Sequence, residues 1–218
     1  IREIARSLAD APPVEQADTE SEVRQTTEID GVKRNPYKGL QAFTAEDGAY
    51  IFGRDTLLDE LTEALDENDE RFLAVVGASG SGKSSVVMAG LLPRLERDHP
   101  DWTFLGRVVP GRRPLEALAK SFAAAIPGSL TPTVLQALAS DGSIRSLHLL
   151  ASQITENRAI LFVDQFEELF TLAESHQRTR FIDLLTAAAT EPDGPLAVVL
   201  TMRADFMDRP LVDSELAR

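Results

Sequence analysis

An eight-residue stretch rich in glycine and serine, residues 77–84, carries the clearest chemical signal in the sequence. It reads as a glycine, four further residues and then Gly-Lys-Ser. Glycines let backbone N–H groups close around a phosphate, while the lysine and serine supply a cation for the phosphates and a hydroxyl for Mg²⁺. The predicted contacts are Gly77, Ala78, Ser79, Gly80, Ser81, Gly82, Lys83 and Ser84, together with the adjoining Ser85.

The flanks of this stretch support a phosphate-binding loop (P-loop). An apolar run at residues 72–76 leads into it and a second run at residues 85–92 leads out. A strand, a tight glycine loop and a helix are what such a loop requires, and the helix start adds its positive end to the anion site. Lys83 is predicted to reach the β- and γ-phosphates, and Ser84 to bind Mg²⁺. The alternative, an ordinary turn between a strand and a helix, is disfavoured by this context.

Another apolar run, residues 160–163, is followed directly by the carboxylate of Asp164. This is the form of a Walker B strand, and the carboxyl end of a buried strand faces the ligand crevice of open α/β sheets. We expect Asp164 to hold Mg²⁺ through water, and Glu167 or Glu168 to polarise the attacking water. The spacing does not choose between the two glutamates. Alternatively, these acids only cap the next helix.

Two arginines are further candidates. Arg203 follows the apolar run 196–200, and a polar group at the end of that strand can sense a γ-phosphate or stabilise transition-state charge. The alternative is a surface arginine paired with Asp205 or another acid. Arg54 follows Gly53 in an acidic stretch, and its residue type alone favours an ordinary surface residue.

The elements that would position these residues alternate along the chain. Such alternation predicts an α/β, three-layer sandwich with a mainly parallel sheet and right-handed crossovers. Pro93 is expected to kink or end the helix after the P-loop. The predicted strands are 72–76, 102–109, 159–163 and 196–200, and the predicted helices are 55–67, 115–126, two within 133–157 and 178–190.

The composition limits the class of protein. With 218 residues, 43% of them hydrophobic, the chain can form one sizeable domain or one domain with an appendage. It has no cysteine, which fits a reducing cytoplasm, and no apolar run long enough for a membrane segment. The net charge of −13 disfavours nucleic acid as a partner. We therefore expect a cytoplasmic protein.

The N-terminal part differs from the rest. Residues 1–34 begin with a short helical pattern and continue as a polar run, which predicts a linker or the end of an upstream domain. Apolar and aromatic residues return at Asn35, so residues 35–218 are predicted to form the nucleotide-binding domain. Between Glu46 and Glu70 there are ten acidic residues and one basic residue. This pattern predicts a solvated helix face, or alternatively a surface that docks another domain.

Together these motifs resemble the STAND class of P-loop ATPases, which are signal-transduction NTPases with numerous domains. The similarity is greatest to the bacterial novel STAND branch, often joined to WD-repeat propellers. It extends in order over residues 35–210 and rests on residues 35–43, 52–55, 77–85, 109–115, 163–169 and 201–206.

The resemblance implies roles that the residue types alone do not. It places Gly53 and Arg54 over the adenine and ribose, and makes Arg203 a γ-phosphate sensor. It implies an adenine nucleotide with Mg²⁺, an ADP-bound closed form, and an ATP-bound form that self-associates or engages protein partners through other domains. The absence of a guanine-specific Asn-Lys-x-Asp motif agrees with adenine.

The sequence also departs from a full member of that class. Such a sheet usually has a fifth strand, followed by a helical and winged-helix region and then repeats, whereas this sequence stops at Arg218. We therefore expect a domain truncated after its fourth core strand. Two other functions stay open: a non-hydrolysing interaction module that nucleotide stabilises, and an AAA-type remodelling ATPase.

Overall fold

The computed structural model describes residues 53–66, 70–140 and 144–208, together with the backbone of two short strands. These strands are β1 (Glu28–Ile29) and β2 (Val32–Lys33), which pair antiparallel. The rest of the predicted linker, and residues 35–43 of the resemblance, lie outside the described residues. The predicted domain boundary at Asn35 therefore stays a prediction.

Four parallel strands form the central sheet. In chain order they are β3 (Phe72–Gly77), β4 (Thr103–Phe104), β5 (Ala159–Val163) and β6 (Leu196–Arg203). Their order across the sheet is β3-β6-β5-β4. The strand that follows the P-loop in the chain, β4, therefore does not neighbour β3, because β6 and β5 lie between them. The predicted parallel α/β fold is confirmed.

Helices connect these strands and cover both faces of the sheet. All the predicted helices are present, and a short helix after β5 was not predicted. They are α1 (Asp55–Asp66), α2 (Lys83–Ser85), a π-helical stretch (Val86–Leu91), α3 (Leu92–Asp98), α4 (Pro114–Ala125), α5 (Thr131–Ala139), α6 (Ser146–Ile154), α7 (Glu168–Thr171), α8 (Ser175–Thr190) and a 3₁₀ turn (Ala204–Phe206). Among the described residues, none of these helices has the length and apolar character needed to cross a bilayer.

Two apolar cores bury the two faces of the sheet. In β5, Ala159, Leu161 and Val163 point into the core shared with α4, α5, α6 and α8. Ile160 and Phe162 point into the opposite core, shared with α1 and the helix after the P-loop. Burial on both sides explains why this strand is an unbroken apolar run.

The helix after the P-loop does not end at Pro93, so this part of the prediction is wrong. The chain stays helical to Asp98. In the π-helical stretch before it, the Leu92 N–H donates to the Val87 carbonyl, five residues back. Pro93 follows where the bonding changes from the π to the α pattern, in the first turn of α3, where its missing N–H costs little.

The second strand is shorter than predicted because its ladder contains an extra residue. Leu105 N donates to Ile160 O at 2.9 Å, but the next bond in the ladder runs from Val108 N to Phe162 O, also at 2.9 Å. Three residues on this strand therefore oppose two on β5, which is the definition of a β-bulge. The bulge lies at Gly106 and Arg107 and leaves Val108 in an isolated bridge to Val163.

Candidate functional site

The carboxyl ends of three strands bring the predicted residues to one edge of the sheet. Gly77, the last residue of β3, pairs with Arg203, the last residue of β6. Val163 ends β5 beside Leu200. The P-loop, Asp164 and Arg203 therefore meet at the edge where open α/β sheets bind their ligands.

The backbone of the P-loop requires glycine at two positions. Gly80 and Gly82 have φ angles of 74° and 85°, in the left-handed region. A Cβ at either position would meet no atom within 4 Å, so the requirement is conformational rather than steric. Ala78, Ser79, Gly80 and Gly82 are exposed. The loop thus offers open backbone groups to solvent beside a helix start, as phosphate binding needs.

Lys83 is buried at the base of this loop, at 8% relative exposure. Its Nζ donates to Gly77 O at 3.1 Å and to Ala78 O at 2.8 Å. Burial lowers the pKa of Lys83 below its usual value, and the negative charges of Glu167 and Asp164 partly oppose this effect. The ammonium is therefore held under the loop by neutral carbonyl groups and faces two carboxylates.

Asp164 is completely buried, and its two oxygens differ. Oδ1 accepts hydrogen bonds from Ser84 Oγ at 2.7 Å, from Gln165 N at 3.0 Å and from Thr201 Oγ1. Oδ2 has no hydrogen-bond donor among the described residues. Arg107 Nη2 lies 2.5 Å from Oδ2, which is close enough for an ion pair but without the alignment of a hydrogen bond.

Gln165 bends the chain sharply after Asp164. Its φ of 56° is unusual for a residue other than glycine. This conformation lets the Gln165 N–H reach both Asp164 Oδ1 and, at 3.1 Å, Thr201 Oγ1. The strain is thus associated with fixing the carboxylate against β6.

The structure separates the two candidate glutamates. Glu167 Oε2 accepts a hydrogen bond from the Arg203 N–H at 3.3 Å, and its charge partly opposes the lowering of the Lys83 pKa by burial. Glu168 begins α7, and its Oε2 lies 3.8 Å from where a Cβ on Gly111 would be. Glu167 therefore faces the P-loop lysine, whereas Glu168 extends to the loop after β4.

Arg203 is paired within its own turn. Its Nε and Nη2 donate to the two oxygens of Asp205 at 3.0 and 2.6 Å, and its guanidinium lies 5.5 Å from the centre of the Phe206 ring. The hydrogen-bonded pair raises the pKa of Arg203 and lowers that of Asp205. The pairing that the sequence left open is thus present, and the sensing role stays a prediction.

Gly53 and Arg54 lie at the start of α1. Gly53 has a φ of 68°, and Arg54 O accepts the first helical bond, from Leu58 N at 2.9 Å. Leu58 lies against Gly90, and Asp66 near the other end of α1 lies 3.3 Å from His99. The helix therefore runs in the same direction as the helix after the P-loop and starts on the P-loop side. Contact with a nucleotide base stays a prediction.

The acidic face of α1 is partly neutralised within the chain. Arg94 of α3 pairs with Asp59 at 2.6 Å and with Asp55 at 3.1 Å. The described part of the acidic stretch is therefore more than a solvated face, since it helps to fix α1 on α3.

Sequence reasoning missed two residues that contact Asp164. Thr201 was noted only as part of a motif, although a hydroxyl at the end of an apolar run is a detectable signal. Arg107 carried no signal, because its position depends on the bulge after β4.

Comparison with known proteins gives a family and a distant structural likeness. The profile of the family described as Novel STAND NTPase 1 matches residues 36–218. Among solved structures, the chain is similar to a Walker-type ATPase of Pyrococcus abyssi, with 18% identity and a TM-score of 0.49. The match covers 82% of this chain and 51% of that one, so the chain spans about half of its length. No curated protein matches. The extent of the family match shows that this chain belongs to the Novel STAND NTPase 1 family of STAND-class P-loop NTPases.

Proposed function

We propose that this chain is the nucleotide-binding switch module of a larger multidomain protein. It binds ATP and ADP with Mg²⁺, hydrolyses ATP slowly, and thereby controls oligomerisation. The observation that supports this best is the hydrogen bond of 2.7 Å between Ser84 Oγ and Asp164 Oδ1. It joins the P-loop to the buried carboxylate, and these are the two groups between which a P-loop NTPase holds its metal.

The residues present fit a Mg²⁺-bound nucleotide. The described residues contain no cluster of three His, Cys, Asp or Glu side chains that could hold a metal alone. A P-loop site does not need one, because the hydroxyl, the strand-end carboxylate and the phosphates share the ion. Asp164 Oδ2 is buried and without a hydrogen-bond donor among the described residues, as suits a carboxylate kept for a cation. When bound, Mg²⁺ supplies positive charge to the phosphate oxygens.

The positions of the protein groups support the following roles in the proposed hydrolysis. The loop N–H groups and Lys83 hold the phosphates, while Ser84 and Asp164 hold the metal. Glu167 accepts a proton from the water whose oxygen forms the new bond to the γ-phosphorus. The bond from that phosphorus to the bridging oxygen breaks and the electrons leave with ADP. Arg203 stabilises the developing charge once it leaves Asp205.

Three variants test these assignments. We expect Lys83→Ala to lose nucleotide binding by calorimetry, since it removes the buried cation beneath the loop. Glu167→Gln should bind ATP normally but release phosphate about 100- to 10,000-fold more slowly, which is the usual range for the contribution of a general base. Glu168→Gln is the matched control, because it makes the same change on the neighbouring residue, and should retain turnover.

Two results would contradict these roles. Normal affinity in Lys83→Ala would refute nucleotide binding at the P-loop. Loss of turnover in Glu168→Gln with normal turnover in Glu167→Gln would exchange the two glutamates. Identification of the nucleotide released on denaturing the purified protein tests the switch, which predicts tightly held ADP.

A second function is favoured by the pairing of Arg203 with Asp205. If this arginine stays paired, nucleotide would only stabilise the fold of an interaction module that does not hydrolyse it. Undetectable phosphate release, together with a clear rise in melting temperature on adding ADP, would support this alternative.

A further inference from the structure

Arg107 reaches the proposed nucleotide site because of the β-bulge. The backbone on either side is fixed to β5, since Leu105 N and Val108 N each donate to that strand and Val108 O accepts from Asp164 N at 2.8 Å. Bulges beside active sites commonly redirect one side chain. Here the backbone around Arg107 is anchored, while its side chain is 37% exposed and has solvent into which it can rotate.

The guanidinium of Arg107 contacts the oxygen of Asp164 that accepts no hydrogen bond from any described residue. Oδ1 already accepts from three donors, on the P-loop, on β6 and on its own turn. Oδ2 is buried, has no hydrogen bond among the described residues, and lies 2.5 Å from Arg107 Nη2. A guanidinium has no lone pair with which to bind a metal. It can therefore compete for this carboxylate but cannot join a metal's ligand shell.

We propose that Arg107 is an internal counter-cation of the nucleotide site, and that Asp164 Oδ2 serves either Arg107 or the divalent cation, held directly or through a water, but not both at once. This rests on the proposed function, because it assumes that Asp164 serves a divalent cation. Two positive charges on one buried oxygen repel each other, so the metal binds only when Arg107 has left. Arg107 in turn keeps the buried carboxylate neutralised when no metal is there.

The charges around the site explain why metal and nucleotide would enter together. Lys83, Arg107 and Arg203 balance Asp164, Glu167 and Asp205 when all six groups are charged. A divalent cation alone would add excess positive charge to the site and displace Arg107 into solvent, where the guanidinium finds no anion to replace Asp164. A polyphosphate brings negative charge that both the metal and the released guanidinium can meet. The site should therefore bind free divalent cations weakly.

The test is the affinity for Mn²⁺, a paramagnetic substitute for Mg²⁺, in the full protein without nucleotide, measured by electron paramagnetic resonance. We expect Arg107→Gln and Arg107→Ala to bind Mn²⁺ about tenfold more tightly than the wild type, since a charge-assisted contact no longer competes. Arg107→Lys keeps the charge and should stay close to the wild type. Arg112→Ala is the matched control, because it removes the same charge from an exposed position of the next loop.

Unchanged Mn²⁺ affinity in both neutral variants would overturn the proposal, and so would equal tightening in Arg112→Ala. Circular dichroism checks that each neutral variant is folded, and if one of them misfolds the other still provides the test. Calorimetry with ADP and Mg²⁺ on the wild type separates the two hypotheses. Absent nucleotide binding refutes the proposed function, whereas normal binding with unaltered Mn²⁺ affinity in the variants refutes only the role of Arg107.

Discussion

The hydroxyl of Thr201 offers the sharpest test of how the carboxylate is held. Thr201 lies on β6 at 1% exposure and makes two hydrogen bonds. It donates to Asp164 Oδ1 and accepts from Gln165 N at 3.1 Å. Thr201→Val replaces the hydroxyl with a methyl of similar size and leaves the strand preference intact, so the variant removes these bonds without opening a cavity.

The expected loss can be worked out bond by bond. A hydrogen bond to a charged group contributes about 1.5–3 kcal/mol to stability. The second bond contributes little, because Gln165 N keeps its bond to Asp164 Oδ1 at 3.0 Å when the hydroxyl is gone. We therefore expect Thr201→Val to lower the free energy of unfolding by about 1.5–3 kcal/mol. It should also weaken binding of Mg²⁺-ADP, since the carboxylate is less firmly oriented.

The assay is chemical denaturation followed by circular dichroism, with an unchanged denaturant slope as evidence that only stability has altered. Thr201→Ser is the control, because it keeps the hydroxyl and loses about 1 kcal/mol for the missing methyl group. The serine variant should bind Mg²⁺-ADP normally. A Thr201→Val protein within about 0.5 kcal/mol of the wild type, the scatter of neutral substitutions, would refute this account of the site.

Two further predictions concern the helix after the P-loop and its lysine. A Cβ on Gly90 would lie 2.6 Å from Leu58 Cδ2, so Gly90→Ala should destabilise the protein by overpacking of about 1–3 kcal/mol, offset by about 1 kcal/mol of helix preference. Denaturation of the Gly90→Ala, Leu58→Ala double variant checks this, because the clash is then absent and the substitutions should couple favourably. Burial lowers the pKa of Lys83 from its ordinary value of 10.5, and phosphates bind its charged form. As the pH rises, nucleotide affinity measured by calorimetry should therefore begin to fall at a lower pH than the titration of an ordinary lysine would cause. An affinity that stays constant until the pH approaches 10.5 would contradict this prediction.

Much of the fold was predictable because burial leaves a direct trace in sequence. Strand β5 has the predicted bounds, Ala159–Val163, since a strand buried on both faces must be apolar throughout. The misjudged elements depend instead on hydrogen-bond patterns that composition does not encode. The bulge at Gly106 and Arg107 shortened β4, and a π-helical stretch carried the chain past Pro93.

The site divides in the same way. The proximity of Lys83, Ser84 and Asp164 was predictable, because a loop and a strand-end carboxylate in a parallel sheet must meet at one edge. The separation of Glu167 from Glu168 was not, since it depends on the turn at Gln165, whose positive φ directs the following residues. Contacts between strands distant in sequence, such as Thr201 with Asp164, become evident only once the register is known.

Under the proposed function, the groups that already pair with Lys83, Arg203 and Arg107 determine where nucleotide binding costs free energy. Lys83 is held by neutral carbonyl groups, which a phosphate can outcompete because it offers a full negative charge. Arg203 is paired with Asp205 in solvent, and exposed ion pairs contribute little, so its release costs little. Arg107 is paired with a completely buried carboxylate, which becomes an uncompensated charge if the arginine leaves alone. If the chain binds nucleotide as proposed, we therefore expect the main barrier to binding at Asp164, where a ligand that brings its own cation restores the charge balance.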